Sequence, residues 1–181
     1  MTEPRSAAEV VDFWRAAGPA RWFARDEAFD RECARLLPLH VAAARRELDG
    51  WLGDAQGALA LLLLLDQIPR NGFRGSAHAF ATDGLALAFA RRAVDAGFDM
   101  AIDPALRVFV YLPFEHSEVL ADQQRSVELH ARLEGADADR WARIHLDVIE
   151  RFGRFPHRNA VLGRETTPAE QAFLDGGGFA G

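Results

Sequence analysis

Residues 58–65 read ALALLLLL, and this run decides the fold class of the chain. It is apolar on every side, so an element that contains it has to be buried. By length alone the run fits either a buried β-strand or part of a central helix. Leucine and alanine favour the helix, because strands prefer valine and isoleucine. With Asp54 as its N-cap, the run predicts a core helix over Ala55–Gln67.

The segments on either side of this helix also have helical patterns. Ser6 and Glu9 have the spacing of a capping box, and Thr167 and Glu170 repeat that spacing before a last short helix. Asp26 is a further N-cap, and Pro38 kinks or splits the helix that follows it. Other helical patterns cover residues 76 or 82 to 96, 103–111, 114–133 and 137–153. No convincing strand alternation occurs, so the sequence predicts an all-α fold of about eight or nine helices.

The length of the chain is typical of one domain. Its 181 residues are 49% hydrophobic and 27% charged, which is enough to bury a real core. We therefore expect a single all-helical domain over residues 1–181. The glycine-rich segment 176–181 is predicted to be a flexible tail.

Three apolar-proline steps recur at a nearly constant interval. They are Ile68-Pro69, Leu112-Pro113 and Phe155-Pro156, whose prolines lie 44 and 43 residues apart. Each step is interpreted as the end of a helix, since proline does not continue a helix well. Two predicted helices between successive steps are typical of helical repeats, whose units run from about 34 to 47 residues. The spacing therefore predicts a right-handed stack of antiparallel helical hairpins, although no 34-residue consensus is present.

Polar residues accompany each proline step, and we call these sets the first, second and third proline groups. The first group is Asp66, Gln67, Arg70, Asn71 and Arg74. The second group is Glu115, His116 and Glu118, and the third is Arg154, His157, Arg158 and Asn159. In a regular stack all three steps lie at the same edge, so we expect the three groups to converge.

Such a cluster is suited to binding an anion or to acid–base chemistry. The predicted ligand-binding residues are Gln67, Arg70, Asn71, Arg74, Glu118, Arg154, Arg158 and Asn159. The candidate acid–base residues are His116, His157, Asp66 and Glu115, because histidine titrates near neutrality. The same arginines and asparagines also fit plain helix ends, which is the competing interpretation. His116 and His157 are the members that a helix end does not need.

Composition narrows the classes of partner and cofactor. A net charge of -6 disfavours binding to nucleic acid or to a membrane surface, since both need clustered positive charge. Cys33 is the single cysteine, so no intrachain disulfide is expected, and no signal peptide or spanning segment is apparent. These features predict a cytoplasmic protein. No cofactor is expected, because phosphate-loop, nucleophile-elbow and zinc motifs are lacking. A metal held by His116, His157 and a carboxylate is conceivable, but its spacing is not diagnostic, so no metal is predicted.

Three motifs together resemble one known family. They are DQIPRN at 66–71, PFEHSE at 113–118 and FPHRN at 155–159, with further similarity over 12–30 and up to residue 174. These segments resemble the bacterial domain-of-unknown-function family 924 and cover most of the chain in the family's order. The resemblance implies an all-helical fold of the tetratricopeptide-like superfamily. It implies no reaction and no catalytic residues.

Two functions from different classes remain open at this point. The first is a helical-repeat module that binds a small anionic ligand or a peptide carboxylate at the polar cluster. The alternative is a small-molecule enzyme, such as a hydrolase, that uses a His/carboxylate acid–base pair beside an arginine anion site. We favour binding, because the sequence contains no recognisable nucleophile or metal motif. The oligomeric state cannot be read from the sequence.

Overall fold

The computed structural model describes residues 6–180. Within that range every regular element is a helix and no β-strand occurs, which confirms the predicted all-α fold. The helical segments outnumber the eight or nine expected, because turns divide several of the predicted helices. None of the described helices combines the length and apolar character that crossing a membrane requires.

The helices follow one another with short connections. The first six are α1 (Ala7–Ala17), α2 (Pro19–Trp22), α3 (Glu27–Ala34), α4 (Leu37–Ala44), α5 (Ala55–Leu62) and α6 (Ile68–Gly72). The other six are α7 (Asp83–Asp95), α8 (Phe98–Ala101), α9 (Val108–Glu115), α10 (Leu120–His130), α11 (Arg140–Phe152) and α12 (Pro168–Asp175). A π-helical turn, Leu63–Gln67, joins α5 to α6, so the helical run is continuous from Ala55 to Gly72. Short 3₁₀ helices cover Asp49–Gly53, Ala77–Phe80 and Pro156–Arg158.

Local capping fixes the start of several helices as the sequence predicts. Ser6 and Glu9 form a reciprocal capping box at α1, and Thr167 and Glu170 form a second one at α12. The Asp54 side chain accepts a hydrogen bond from the third residue of α5. These bonds satisfy backbone N–H groups that have no partner within the helix itself.

Two of the three proline steps do not end a helix, so that part of the prediction is wrong. Pro69 lies inside the continuous helical run, and Pro113 lies inside α9, which continues to Glu115. Pro156 does follow a helix end, because Gly153 terminates α11 in the left-handed conformation with φ 67°. The regular stacking of hairpins therefore loses its main support and stays a prediction.

The chain groups into two compact units. Unit 1 comprises Met1–Arg74 and His78–Pro113, and unit 2 comprises Gly75–Ala77 and Phe114–Gly181. The single domain over residues 1–181 stays a prediction.

Unit 1 is built around the apolar run that the sequence singles out. Residues 58–65 are all buried, and α5 packs against α1 and α7. Aromatic rings close one side of this core, with Phe109 in edge contact with Trp14 at 5.3 Å and with Trp22 at 5.1 Å between ring centroids. Such contacts add specific geometry to the area that is buried.

Unit 2 has a smaller core around α11. Val148, Ile149 and Phe155 are buried there, with Phe152, Phe173 and Phe179 packed against them. Helices α10 and α11 pack against each other. Phe179 belongs to segment 176–181, which was predicted to be a flexible tail. Its ring nevertheless packs against this core.

Candidate functional site

The first proline group surrounds the π turn of unit 1. The π turn and Pro69 deprive the carbonyls of Leu64 and Leu65 of their usual helical donors. Other side chains take their place: His40 Nδ1 donates to Leu64 O at 2.8 Å, and Thr82 Oγ1 donates to Leu65 O. The turn is therefore held by hydrogen bonds from elements that are distant in sequence.

Arg70 lies in an ion-pair network of the same unit. Its guanidinium contacts Asp66 at 3.1 Å and forms a two-bond pair with Asp83 at 2.9 and 3.0 Å. Burial on its own would lower the pKa of Arg70, but the Asp66 and Asp83 carboxylates outweigh it and raise the pKa. Arg70 is thus a fixed cation whose charge is offset by two fixed carboxylates.

The other members of the first group are also engaged within unit 1. Arg74 pairs with both carboxylate oxygens of Asp30, at 2.7 and 2.8 Å, and bonds Asn71 at 3.0 Å. Asn71 donates to the Gln67 carbonyl at 3.0 Å, and Gln67 donates to Asp66 at 2.6 Å. The group forms a connected network, and its ligand-binding role stays a prediction.

The second and third proline groups meet in unit 2. Arg158 donates to the His116 carbonyl at 3.1 Å, and the Glu118 carboxylate accepts from the Phe155 backbone N–H at 2.8 Å. Arg164 reinforces this junction with a two-bond pair to Glu118 at 2.7 and 3.0 Å. Their convergence with the first group stays a prediction.

Near this junction two histidines lie beside the Glu115 carboxylate and two more lie close to them. We call Glu115, His116, His130, His145 and His157 the histidine cluster. The Glu115 side chain lies 3.5 Å from His130 Nε2 and 3.4 Å from His145 Nδ1. The rings of His116 and His145 are 6.4 Å apart between centroids. Glu115, His130 and His145 are buried, whereas His116 and His157 are half-buried. The half-buried pair therefore forms the accessible part of the cluster.

Backbone carbonyls fix the protons of the two deep histidines. His130 Nδ1 lies 2.9 Å from Ser126 O, and His145 Nδ1 lies 2.8 Å from Trp141 O. A carbonyl only accepts hydrogen bonds, so each Nδ1 carries a proton.

The environment keeps these histidines neutral. Burial lowers the pKa of His145 to about 3 and that of His130 below its ordinary value. Burial also lowers the pKa of His157 to about 4, and the positive charge of Arg158 lowers it further. A protonated His157 is unfavourable there mainly because the ring is buried and also because Arg158 is positive, although the Glu118 carboxylate acts in the opposite direction.

His157 has one nitrogen turned into the protein. Its Nδ1 is buried and has no hydrogen-bond partner among residues 6–180. A buried N–H without a partner is costlier than an acceptor without one, so the neutral ring carries its proton on Nε2. The Nε2–H group is then a donor for whatever binds at this half-buried position.

Aromatic rings enclose the same position. The Phe179 ring lies 4.3 Å from the His145 ring and 5.3 Å from the His157 ring, while Phe155 lies 5.6 Å from His157. The Arg158 guanidinium stacks over Phe155 at 4.4 Å. The cluster thus combines one permanent cation, neutral imidazoles and apolar rings.

The two remaining members of the third group have structural contacts in unit 2. Arg154 pairs with both oxygens of Glu170, at 2.6 and 2.8 Å, and so ties α12 to the end of α11. Asn159 is fully buried and its amide lies 3.4 Å from Thr166 Oγ1. These contacts give both residues structural roles, and their ligand-binding role stays a prediction.

The geometry of the described residues does not favour a metal. In residues 6–180 no three His, Cys, Asp or Glu side chains are arranged to hold a metal ion.

Comparison with known proteins places the chain in a family. Residues 10–178 match the family described as "Bacterial protein of unknown function (DUF924)". The chain belongs to the DUF924 family. A solved structure of a protein of unknown function from Agrobacterium tumefaciens is 55% identical, with a TM-score of 0.90, and the match covers 94% of this chain and 97% of that one. Comparison with curated proteins finds no match.

Sequence reasoning missed several residues of the site in this DUF924 protein. His130, His145, Arg164 and Phe179 were not expected to belong to it, because each is isolated in the sequence. A signal for His145 does exist, since it falls on the buried face of α11 together with Ala142, Val148 and Ile149. A histidine on such a face has to find partners inside the protein.

Proposed function

We propose that this protein binds a small anionic molecule, or the carboxylate of a peptide, at the accessible edge of the histidine cluster. His116, His157 and Arg158 are the residues that contact the ligand in this proposal. The observation that carries it is the junction of the second and third proline groups, where Arg158 bonds the His116 carbonyl next to the neutral, half-buried His157.

The charge at this edge supports an anion. Arg158 is largely buried, so its positive charge is only weakly screened by water. Burial is the main reason that His157 and His145 stay unprotonated. The Arg158 charge adds to it, because it also lowers the pKa of both rings. An anion at this edge is attracted by the Arg158 charge and accepts hydrogen bonds from the guanidinium and from His157 Nε2–H, while the Glu118 carboxylate acts against it.

The first proline group has weaker support as the anion site. Arg70 and Arg74 pair with carboxylates of their own unit through short two-bond contacts. A ligand anion has to compete with these fixed carboxylates for the same guanidinium donors. We therefore assign this group mainly to stability and place the ligand in unit 2.

The enzymatic alternative has weaker support than binding. A general base is most effective when its pKa lies near the working pH. The pKa of His157 is about 4 and that of His145 about 3, so neither ring accepts a proton readily at neutral pH. A hydrolase would have to rely on His116 at the edge and on Glu115, which is buried, and for this reason the alternative stays second.

Replacement of His157 by phenylalanine tests the binding proposal. His157→Phe keeps a planar ring next to Phe155 and Phe179 but removes the Nε2–H donor. We expect wild-type protein to gain thermal stability in acetate, succinate, methanesulfonate or phosphate, because a ligand that binds only the folded state stabilises it. The variant should lose at least about tenfold in affinity, since a hydrogen bond to a charged group contributes about 1.5–3 kcal/mol. Calorimetric titration gives the affinities.

The matched control is His78→Phe, on an exposed histidine in unit 1. It should bind the same anion as wild type does. If the control loses as much affinity as His157→Phe, or if no anion of the panel binds wild-type protein, the proposed site is wrong. If a turnover product appears instead of simple binding, the hydrolase alternative replaces the binding proposal.

The affinity for an anion should increase as the pH falls from 7 toward the free His157 pKa of about 4. A bound anion favours the imidazolium form of His157, so the pKa of this ring is higher in the complex than its free value of about 4. Between these two pKa values the complex takes up a proton, and affinity rises by at most about tenfold per pH unit. Titrations with methanesulfonate, which stays ionised over this range, measure the slope. A His157→Phe variant with the wild-type slope would assign the proton to another group.

A further inference from the structure

The ring of Phe179 occupies a slot in unit 2 that three other rings define. Its centroid lies 4.3 Å from His145, 5.3 Å from His157 and 6.5 Å from Phe155. The three contacts are tilted or edge-on, with interplanar angles of 57°, 82° and 61°. These are favourable arrangements for aromatic groups, so the slot selects a planar ring.

We propose that this slot is the subsite for an aromatic ring of the ligand, and that Phe179 fills it as an internal stand-in. The inference rests on the proposed function and deepens it, because it names the ligand class as aromatic carboxylates. In such a ligand the ring replaces Phe179 and the carboxylate reaches the Arg158 and His157 edge.

The position of the Arg158 guanidinium relative to the slot is suited to an aromatic carboxylate. Phe155 contributes one wall of the slot, and the Arg158 guanidinium lies over the same Phe155 ring at 4.4 Å. His157 also contacts the Phe179 ring and presents its Nε2–H at the half-buried edge. A molecule that carries a ring and a carboxylate a few bonds apart therefore meets an apolar contact and a positive charge together.

The attachment of Phe179 suits a ring that can leave. Phe179 is only partly buried. It follows Gly176-Gly177-Gly178, where Gly177 has φ 76°, and glycines lose the most conformational freedom when they are held in place. The Gly178 N–H donates to Phe173 O at 2.9 Å, so a pivot after Gly178 leaves α12 intact.

The burial of His145 and His157 also depends on the Phe179 ring in the slot. Desolvation is the largest cause of the lowered pKa of His145 and His157, and the Phe179 ring covers both imidazoles. A ligand ring in the slot would keep the two imidazoles dry in the same way. In the absence of ligand, the Phe179 ring thus keeps His145 and His157 shielded from water.

Removal of the Phe179 ring tests the inference with three probes: 3-phenylpropionate, propionate and the tripeptide Gly-Gly-Phe. In wild-type protein the Phe179 ring competes with the probe, so the apparent affinity is reduced by the fraction of time that the slot is free. For a slot that is free about one tenth of the time, Phe179→Ala should bind 3-phenylpropionate about tenfold more tightly than wild type does. Propionate, which has no ring, should bind both proteins equally.

The outcomes separate the slot from the anion site. If propionate or another anion binds both proteins and 3-phenylpropionate gains nothing in Phe179→Ala, the slot is wrong while the proposed function stands. If no probe binds either protein, the proposed function fails with it. Tighter binding of Gly-Gly-Phe than of 3-phenylpropionate assigns the aromatic carboxylate to a peptide end, and the reverse order assigns it to a free acid.

A second variant guards against loss of fold in Phe179→Ala. Phe179→Leu keeps an apolar side chain on the core of unit 2 but not a planar ring. It should give an intermediate gain for 3-phenylpropionate and none for propionate. An equal gain for both probes in the two variants would mean that the cluster had simply become more open, and would overturn the stand-in role.

Discussion

Replacement of Arg70 by methionine is expected to lower the free energy of unfolding by about 3–5 kcal/mol, which is the usual cost of removing one partner of a buried ion pair. The reason is the carboxylate that remains. Asp66 has a side chain only 1% exposed, and Arg70 is its cationic partner at 3.1 Å. Methionine keeps most of the volume of the side chain and removes the charge. The melting temperature should fall by about 10 °C, given about 2–4 °C per kcal/mol for a chain of this size.

An exposed ion pair of the same unit provides the matched control. Arg15 bonds Asp12 at 2.8 Å, with side chains 48% and 68% exposed. Arg15→Met should cost less than about 1 kcal/mol, because exposed pairs contribute little. Denaturant unfolding of both variants gives the two values. A loss for Arg70→Met no greater than that for Arg15→Met would show that the network does not hold unit 1 together, and would return Arg70 to the ligand-binding residues.

The helices of this protein could be predicted because their signals are local. The capping boxes of α1 and α12 need only residues three positions apart, and the burial of residues 58–65 follows from their composition. The all-α class follows from the same patterns. Each of these predictions depends on a few neighbouring residues and on no distant contact.

The continuation of helices through proline could not be predicted in this way. The run from Ala55 to Gly72 passes Pro69 because a π turn precedes it and because His40 and Thr82 bond the carbonyls of Leu64 and Leu65. These donors come from 24 and 17 residues away in the sequence. The local rule that proline ends a helix is therefore overridden by tertiary contacts, and the rule gave two wrong helix ends.

Only part of the candidate site could be predicted, because tertiary contacts also decide which residues it contains. All three proline groups were expected to converge. In the structure Arg158 and Glu118 connect the second group with the third, and convergence with the first group stays a prediction. His130 and His145 lie far from any motif, and they join the site only because α9, α10 and α11 bring them to Glu115 at 3.5 and 3.4 Å. A buried histidine shows its partners only after folding, so no pattern of spacing identifies the cluster.

The histidine cluster should make the stability of the protein depend on pH between 7 and 5. His145 has a pKa of about 3 in the folded protein, lowered by burial, and a value near 6.5 when unfolded. Between these values the unfolded chain binds a proton and the folded protein does not. Stability is therefore full above about pH 6.5 and decreases as the pH falls, by about 1.4 kcal/mol per unit for this group.

His145→Gln isolates this contribution through the slope rather than through the absolute stability. Loss of the ring also costs packing against Phe155 and Phe179, but that cost does not vary with pH. Denaturant unfolding at several pH values from 7 to 5 should give a slope smaller than the wild-type slope by about 1.4 kcal/mol per unit. Val148→Ala, a cavity variant on the buried face of α11, should lower stability equally at every pH.

The Glu115 carboxylate, 3.4 Å from His145 Nδ1, opposes the effect of burial on the pKa of His145. A nearby negative charge favours the imidazolium, so it acts against burial. Equal slopes in His145→Gln and wild type would mean that Glu115 holds the proton on His145 at neutral pH. The cluster would then contain a charged pair, the positive field at His157 would be stronger, and His145 would join the acid–base candidates of the enzymatic alternative. The slope of the unfolding free energy against pH therefore distinguishes a neutral, buried cluster, which is suited to binding, from a charged one, which is suited to catalysis.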